Sequence, residues 1–405
     1  MNMNVRSWVL FVILTVFAFI LRDLHSPSNK AIYYPQLIVE TLSLVSLPFV
    51  IRKIRRYEIL FFLLILLMLS QYIFHHQSFR ISTVLYTMLL GSSFLFFSRL
   101  FKYETIKVAQ FRGFIKWMII VLALVLFIQQ VQTVIGIEVF NLVSDGSSKF
   151  KLNSLAKESS KLALMVPLLL YTYITLREIE LNHKYVIKKE IFHDRNVWLL
   201  AIYTGFTCGS MTAFIAFPFF FIRFLNFRNT NLFSIVLFFI LFILFVPFLG
   251  EYDIIRMDRI IELFSALSTG DIKIVIDEDP SAACRIVPTW LFFNSFSIFD
   301  FSTWLGHGID ASKDICTFMI TDREEVDIGA MNIFSLFYDY GLVAGIIWIQ
   351  FVKSIISQKW VSYEMFIYVG LFYSVTINHH LIWLFLMLMY VLKQFRMSSY
   401  NINNK

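Results

Sequence analysis

The chain has 405 residues, 58% of them hydrophobic and 16% charged, with a mean hydropathy of +0.70. Soluble domains rarely reach such averages, so the composition excludes an ordinary globular enzyme and points to a polytopic membrane protein. The net charge of +7 calls for no nucleic-acid partner, because membrane proteins collect basic residues in their cytoplasmic loops.

A bilayer core of about 30 Å takes about 20 apolar residues in a helix. The first run, Val5–Leu21, is followed by "RDLHSPSNK" rather than a small-residue cleavage site, so it is expected to stay as a first helix. Further spans are expected over Tyr33–Ile51, Tyr57–Phe74, Ile81–Phe97, Phe114–Ile135 and Ser160–Leu176. Val197–Ile222 has room for one tilted helix or for a hairpin of two short ones turning near "TCGSMT". The hairpin is preferred, since a single pass would export the basic C-terminal tail. Leu232–Leu249, Met331–Val352, Val361–Ile377 and Leu381–Leu392 follow. Backbone groups cannot go unpaired in lipid, and unbroken apolar runs of this length exclude a barrel. The expected fold is a single all-α polytopic membrane domain over 1–405, with about 12 transmembrane helices.

Lysine and arginine set the orientation. With the N-terminus inside, the inner loops and Arg6 hold 22 of the 35 basic residues, so both termini are expected in the cytoplasm. Two outer loops then stand out, 136–158 and 250–330. The second carries 15 acidic and 6 basic residues, and its start, "EYDIIRMDRIIELFSALSTG", has the spacing of a helix lying on the membrane surface.

Arg285, in "AACRIVPTWLFF", stands between acidic and apolar stretches. It suits an ion pair with Asp277, Glu278 or Asp279, an interface anchor, or a clamp for a phosphate or diphosphate, for which a planar, permanently charged fork is well matched. Trp290 follows it at helical spacing. In the first outer loop Lys149, Lys151, Lys157 and Lys161 gather before an apolar run, with Glu158 and Ser159 at its start. This is either helix-start chemistry, an acid at the dipole's positive end with serine caps, or an anion-binding patch whose carboxylate serves as a general base for a sugar hydroxyl. His307 lies between two glycines in "WLGHGID", where backbone can approach a ligand closely. His379 and His380 fall at the turn before the last span, as interfacial hydrogen-bonders or as part of the same outer site. Cys284 and Cys316 share the later loop, where a disulfide would close about 33 residues and contribute roughly 3–4 kcal/mol; two unpaired thiols are the simpler reading. No nucleophile elbow, "HExxH", P-loop or cysteine–histidine cluster occurs, so neither metal nor cofactor is expected.

The loop order, "E-S-S" at a helix start, a late loop reading R…W…G-x-G and then "GAMNIFSLFYDYGLVAGIIWI", resembles the O-antigen and capsule repeat-unit polymerases (Wzy-type), relatives of the O-antigen ligases. Arg285, Trp290, Gly306 and Gly308 match the late-loop pattern; Glu158 and Ser160 match the "EPS" element; Asn332, Gly341 and Gly345 match the "HN…G…G" helix. Met331 stands where a histidine is frequent, Ser159 replaces the proline, and Lys151 stands in the region where arginine is frequent.

The resemblance implies a glycosyltransferase of the bacterial inner membrane. It would move a growing glycan from undecaprenyl diphosphate to another lipid-linked repeat unit on the periplasmic face, without metal, beside membrane lipids and with a chain-length-determining co-polymerase as partner. Arg285 is then the diphosphate clamp, helped by Lys149 or Lys151, and Glu158 or His307 activates the acceptor hydroxyl. Lys157, Trp290, Asn332, His379 and His380 would bind substrate. An O-antigen ligase is the nearest alternative. A lipid-linked oligosaccharide flippase is a different class, but flippases carry related halves and charges inside their spans, whereas here charge concentrates in two outer loops.

Overall fold

The structure is a computed structural model and describes residues 12–13, 15–16, 34–51, 53–75, 80–103, 106–141, 152–156, 158–185, 190–210, 212–224, 272–278, 280–321, 332–357, 359–373 and 375–403. Among these residues every regular element is helical: α1 (Tyr34–Val50), α2 (Arg56–Phe74), α3 (Ile81–Tyr103), α4 (Val108–Ile135), α5 (Ser159–Leu181), α6 (Arg195–Thr207), α7 (Thr212–Phe221) with a short 3-10 turn after it, α8 (Ile272–Glu278), α9 (Pro280–Ser295), α10 (Phe301–Leu305), α11 (Ala311–Thr321), α12 (Ile333–Ile356), α13 (Tyr363–Leu371) and α14 (His380–Asn403). Among the described residues six helices are long and apolar enough to cross a membrane: Arg56–Phe74, Ile81–Lys102, Val108–Ile135, Ser159–Leu181, Ile333–Ile356 and His380–Ser398. The described chain is therefore an all-helical multi-pass membrane protein. The expected spans Val5–Leu21 (but for four residues) and Leu232–Leu249, and the surface helix at the start of the later loop, lie outside the described residues.

Two compact units divide the chain. The first comprises Met1–Ile51, Ser92–Leu241 and Trp383–Lys405. Its centre is α5, apolar on all sides and buried along nearly its whole length, as an inner helix must be. Helices α4, α6 and α7 pack around it. The stretch that allowed one pass or two is a helix–turn–helix: α6 ends at Cys208, Gly209 turns at φ +72°, and the Ser210 hydroxyl accepts from the Thr212 amide as α7 begins. Phe206 stacks on Phe217 at 5.0 Å across the hairpin. At the far end of α5, Tyr173 donates to Asp194 at 2.7 Å and Arg112 pairs with Glu180 at 2.9 Å.

The second unit comprises Arg52–Gly91 and Phe242–Ile382. Here α2 packs against α12: Arg56 meets Gln350 and Phe61 meets Phe351. Around the first half of α12, Ala283, Val287, Leu291 and Phe292 of α9, Ile276 of α8 and Cys316 of α11 form one core with Tyr338. The described part of the later loop, 272–278 and 280–321, is thus packed helix. Within the expected span Val361–Ile377 only Tyr363–Leu371 is helical among the described residues, nine residues or about 13 Å, and the chain after it reaches the start of α12, where the Ile333 amide donates to the Tyr373 carbonyl.

Candidate functional site

The second unit is organised by a break in α12. Gly341 sits at φ +81° and ψ 172°, so the helix runs as two segments, 333–340 and 342–356. A break leaves carbonyls of the preceding turn without helical partners, and in a membrane helix they need others. The "GHG" turn supplies them: the His307 amide donates to the Tyr338 carbonyl at 3.0 Å and the Gly308 amide to the Asp339 carbonyl at 3.1 Å. Only glycine fits on either side of this contact. A Cβ on Gly306 (φ +92°) would lie 2.2 Å from the Asp339 carbonyl oxygen, and one on Gly341 would lie 2.2 Å from that of Trp304. The tight turn read from "GHG" exists, and it serves to dock backbone on backbone.

This docking fixes His307. Its ring stacks on Tyr338, 4.1 Å between centroids and 5° between planes, and its Nδ1 lies 3.0 Å from the Tyr338 carbonyl oxygen. A carbonyl oxygen only accepts, so Nδ1 carries hydrogen and, in the neutral ring, Nε2 carries the lone pair. The half-buried imidazole is thereby held in the tautomer a general base needs.

Further contacts brace the turn. Gln71 donates to the Leu305 carbonyl, and Nε2 of His75 lies 3.1 Å from the Gly306 carbonyl. Buried Asp339 accepts from the Ser312 amide at 2.7 Å and from its hydroxyl at 3.0 Å, so a carboxylate caps the start of α11, where the helix dipole favours it. Thr83 donates to Asp310 at 2.6 Å, and Arg80 pairs with Asp314. None of these residues stood out in the sequence. An acid inside the apolar run "SLFYDYGLV" was the available signal, whereas Gln71 and His75 look like interface residues at a helix end.

Asn332 and α9 join the same assembly. Asn332 is the N-cap of α12, its Oδ1 accepting from Phe334 at 2.7 Å and Ser335 at 3.0 Å, while its Nδ2 donates to Thr289 at 2.8 Å. Its role is to cap α12 and tie it to α9. Arg285 occupies the helical position one turn before Thr289; its side chain, with those of Asp277, Glu278 and Asp279, lies outside the described residues. Trp290 is half-exposed on the same helix. His379 accepts from the Leu381 amide at 3.2 Å, its ring 4.5 Å from that of His380, so the pair starts α14. The adjoining segment reaches α12, where the Ile333 amide donates to the Tyr373 carbonyl.

Glu158 belongs to the first unit, as the N-cap residue of α5. The expected serine caps are absent: the Ser160 hydroxyl donates to the Glu158 carboxylate at 3.1 Å, and neither side chain closes the helix end. Just before it, Leu152–Ala156 is buried. Ser154 holds Gln129 of α4 through its amide at 2.7 Å, and its carbonyl accepts from Gln129 at 3.2 Å and from Asn141 at 2.8 Å. Asn153 returns a 2.8 Å bond to the Asn141 carbonyl. Lys149, Lys151 and Lys157 lie outside the described residues.

None of Cys208, Cys284 and Cys316 is in a disulfide. Cys316 is buried, and burial pushes its thiol well above the ordinary range, with Cys284 and Asp339 adding to it. The thiolate is the reactive form, so a brief maleimide pulse is expected to label half-buried Cys284 and leave Cys316 unlabelled. Peptide masses should be unchanged by prior reductant; a reductant-dependent shift would mean a disulfide instead.

No family model, no curated protein and no solved structure matches this chain.

Proposed function

We propose that this protein is a repeat-unit polymerase of O antigen or capsule, acting on undecaprenyl-diphosphate-linked glycan at the periplasmic face of the bacterial inner membrane. In this reading the chain crosses about twelve times with both termini in the cytoplasm, and the segments 136–158 and 250–330 face outward. The observation that carries it is the His307 imidazole, fixed on a docked backbone turn with its basic nitrogen unclaimed by Tyr338. The helix bearing Arg285 and Trp290 is bonded to the same broken α12.

The chemistry needs two things from the protein. As the acceptor sugar's hydroxyl oxygen attacks the anomeric carbon of the donor glycan, its proton passes to Nε2 of His307. The bond between that carbon and the diphosphate oxygen breaks, and its electron pair leaves with the undecaprenyl diphosphate. Arg285 neutralises the departing charge, and Trp290 offers an apolar face to a sugar ring. Lys149, Lys151 and Lys157 supply positive charge for anionic lipid headgroups from the first loop, where Glu158 is the other group able to take a proton. A co-polymerase that sets chain length completes the assembly.

A deletion strain complemented with wild type or Arg285→Ala tests this. Wild type should restore long glycan ladders, whereas Arg285→Ala should lower chain formation by about 10²–10³, the usual effect of losing a preorganised charge. Single repeat units should remain on the surface of the deletion strain. No surface glycan would indicate a ligase, units trapped inside a flippase, and long chains from Arg285→Ala would remove the clamp.

A further inference from the structure

The turn that carries His307 is held from two opposite sides, and only one side follows from the broken helix. The Gly306 carbonyl and the His307 amide belong to one peptide plane. At its amide end this plane donates to Tyr338, whose carbonyl oxygen uses its second lone pair for Nδ1 of the His307 ring. At its carbonyl end it meets Nε2 of His75 at 3.1 Å. Since a carbonyl oxygen accepts, His75 is the donor. The result is an unbroken chain running from the His75 N–H through the peptide to the Tyr338 carbonyl and back to the His307 ring; such chains polarise and reinforce one another.

The plane needs this hold. Gly306, at φ +92° and ψ 172°, lacks the Cβ that restrains rotation of the following peptide, so glycine by itself permits the plane to turn over. Turning it would carry the His307 amide off Tyr338 and the ring off its stack. The preceding peptide is fixed in the same way: the Leu305 carbonyl accepts from Gln71, and the Gly306 amide donates to Ser302 at 2.7 Å. Gln71 and His75 are four residues apart at the end of α2, on one helical face, and together they grip consecutive carbonyls of the turn.

We propose that His75 is a positioning residue for His307: its N–H fixes the orientation of the Gly306–His307 peptide and, through it, sets the imidazole against Tyr338. The role rests on reading His307 as the general base, but its structural half can be tested separately. Full-length protein in detergent, as wild type, His75→Ala, His75→Asn and His75→Gln, is compared by peptide-resolved hydrogen exchange over residues 305–311 and by polymerisation of lipid-linked repeat units. Glutamine reaches about as far as Nε2 and can donate the same bond, whereas asparagine is too short.

The expected result is exchange over this segment about tenfold faster in His75→Ala and His75→Asn, and near wild type in His75→Gln. The kcat should fall about 10–100-fold in the first two, KM staying within about twofold, with glutamine restoring most of it; misplacing a reacting group by about 1 Å has effects of this order. If His75→Ala fails to yield monodisperse protein, the asparagine–glutamine comparison decides. Unchanged exchange in His75→Ala or His75→Asn, or glutamine behaving like asparagine, overturns the proposal. Altered exchange together with full activity in a His307→Ala control would leave the positioning intact and remove the reading of His307 as base.

Discussion

Replacing Gly306 with alanine is expected to unfold the second unit or separate its turn from α12. Two costs combine. The residue sits at φ +92°, where an L side chain adds about 1–3 kcal/mol of strain. The new methyl would also stand 2.2 Å from the Asp339 carbonyl oxygen, and backbone cannot move aside as a side chain would; overpacking of this kind costs about 1–3 kcal/mol or more. Against a total stability of about 5–15 kcal/mol, the sum is a large share. Thermal unfolding in detergent should show the loss. Gly113→Ala is the control, since a methyl there meets nothing within 4 Å and alanine favours a helix by up to about 1 kcal/mol. Equal melting of the two variants would mean that the backbone contact at the break of α12 contributes little.

His307→Ala should behave in the opposite way, folding well and failing to catalyse. The ring is only half-buried, and the stack on Tyr338 contributes about 0.5–1.5 kcal/mol, a loss the unit tolerates. Removing a general base typically lowers turnover 10²–10⁴-fold, and the effect should fall on kcat rather than KM because in the proposed reaction the imidazole acts on a proton in flight. The measurement is single-turnover transfer between purified lipid-linked repeat units, with melting temperature recorded on the same preparations. Wild-type turnover would pass the role to Glu158, the other group named for it.

The elements that the sequence displayed are those governed by local rules. Long apolar runs marked α2, α3, α4, α5, α12 and α14, because lipid requires apolar length and internally satisfied backbone. "TCGSMT" marked the hairpin, because Gly209 and a capping Ser210 are turn chemistry. Val361–Ile377 is only partly helical for the same reason: hydropathy records burial, and Phe372, Tyr373, Val375 and Ile377 are apolar yet lie outside any helix. The site was half visible. Glycines flanking His307 announced a close backbone approach, but its partner, the carbonyls before Gly341, could not be read without knowing that α12 breaks. Gln71 and His75 act over more than 230 positions of sequence, a separation at which no periodicity survives.

The polar knot around Ser154 has a consequence for what can vary in this protein. Asn141 and Asn153 bond to each other's strand of chain, and Ser154 is buttoned into α4 by Gln129. Asn141 and Ser154 are thereby held as fixed ends 13 positions apart in sequence. Doubling the length of a segment that joins two fixed ends costs only about 0.6 kcal/mol, so added residues between them are expected to leave the knot in place. Anchorage resides in a few buried amides, so substitution there is expected to cost more than insertion between them.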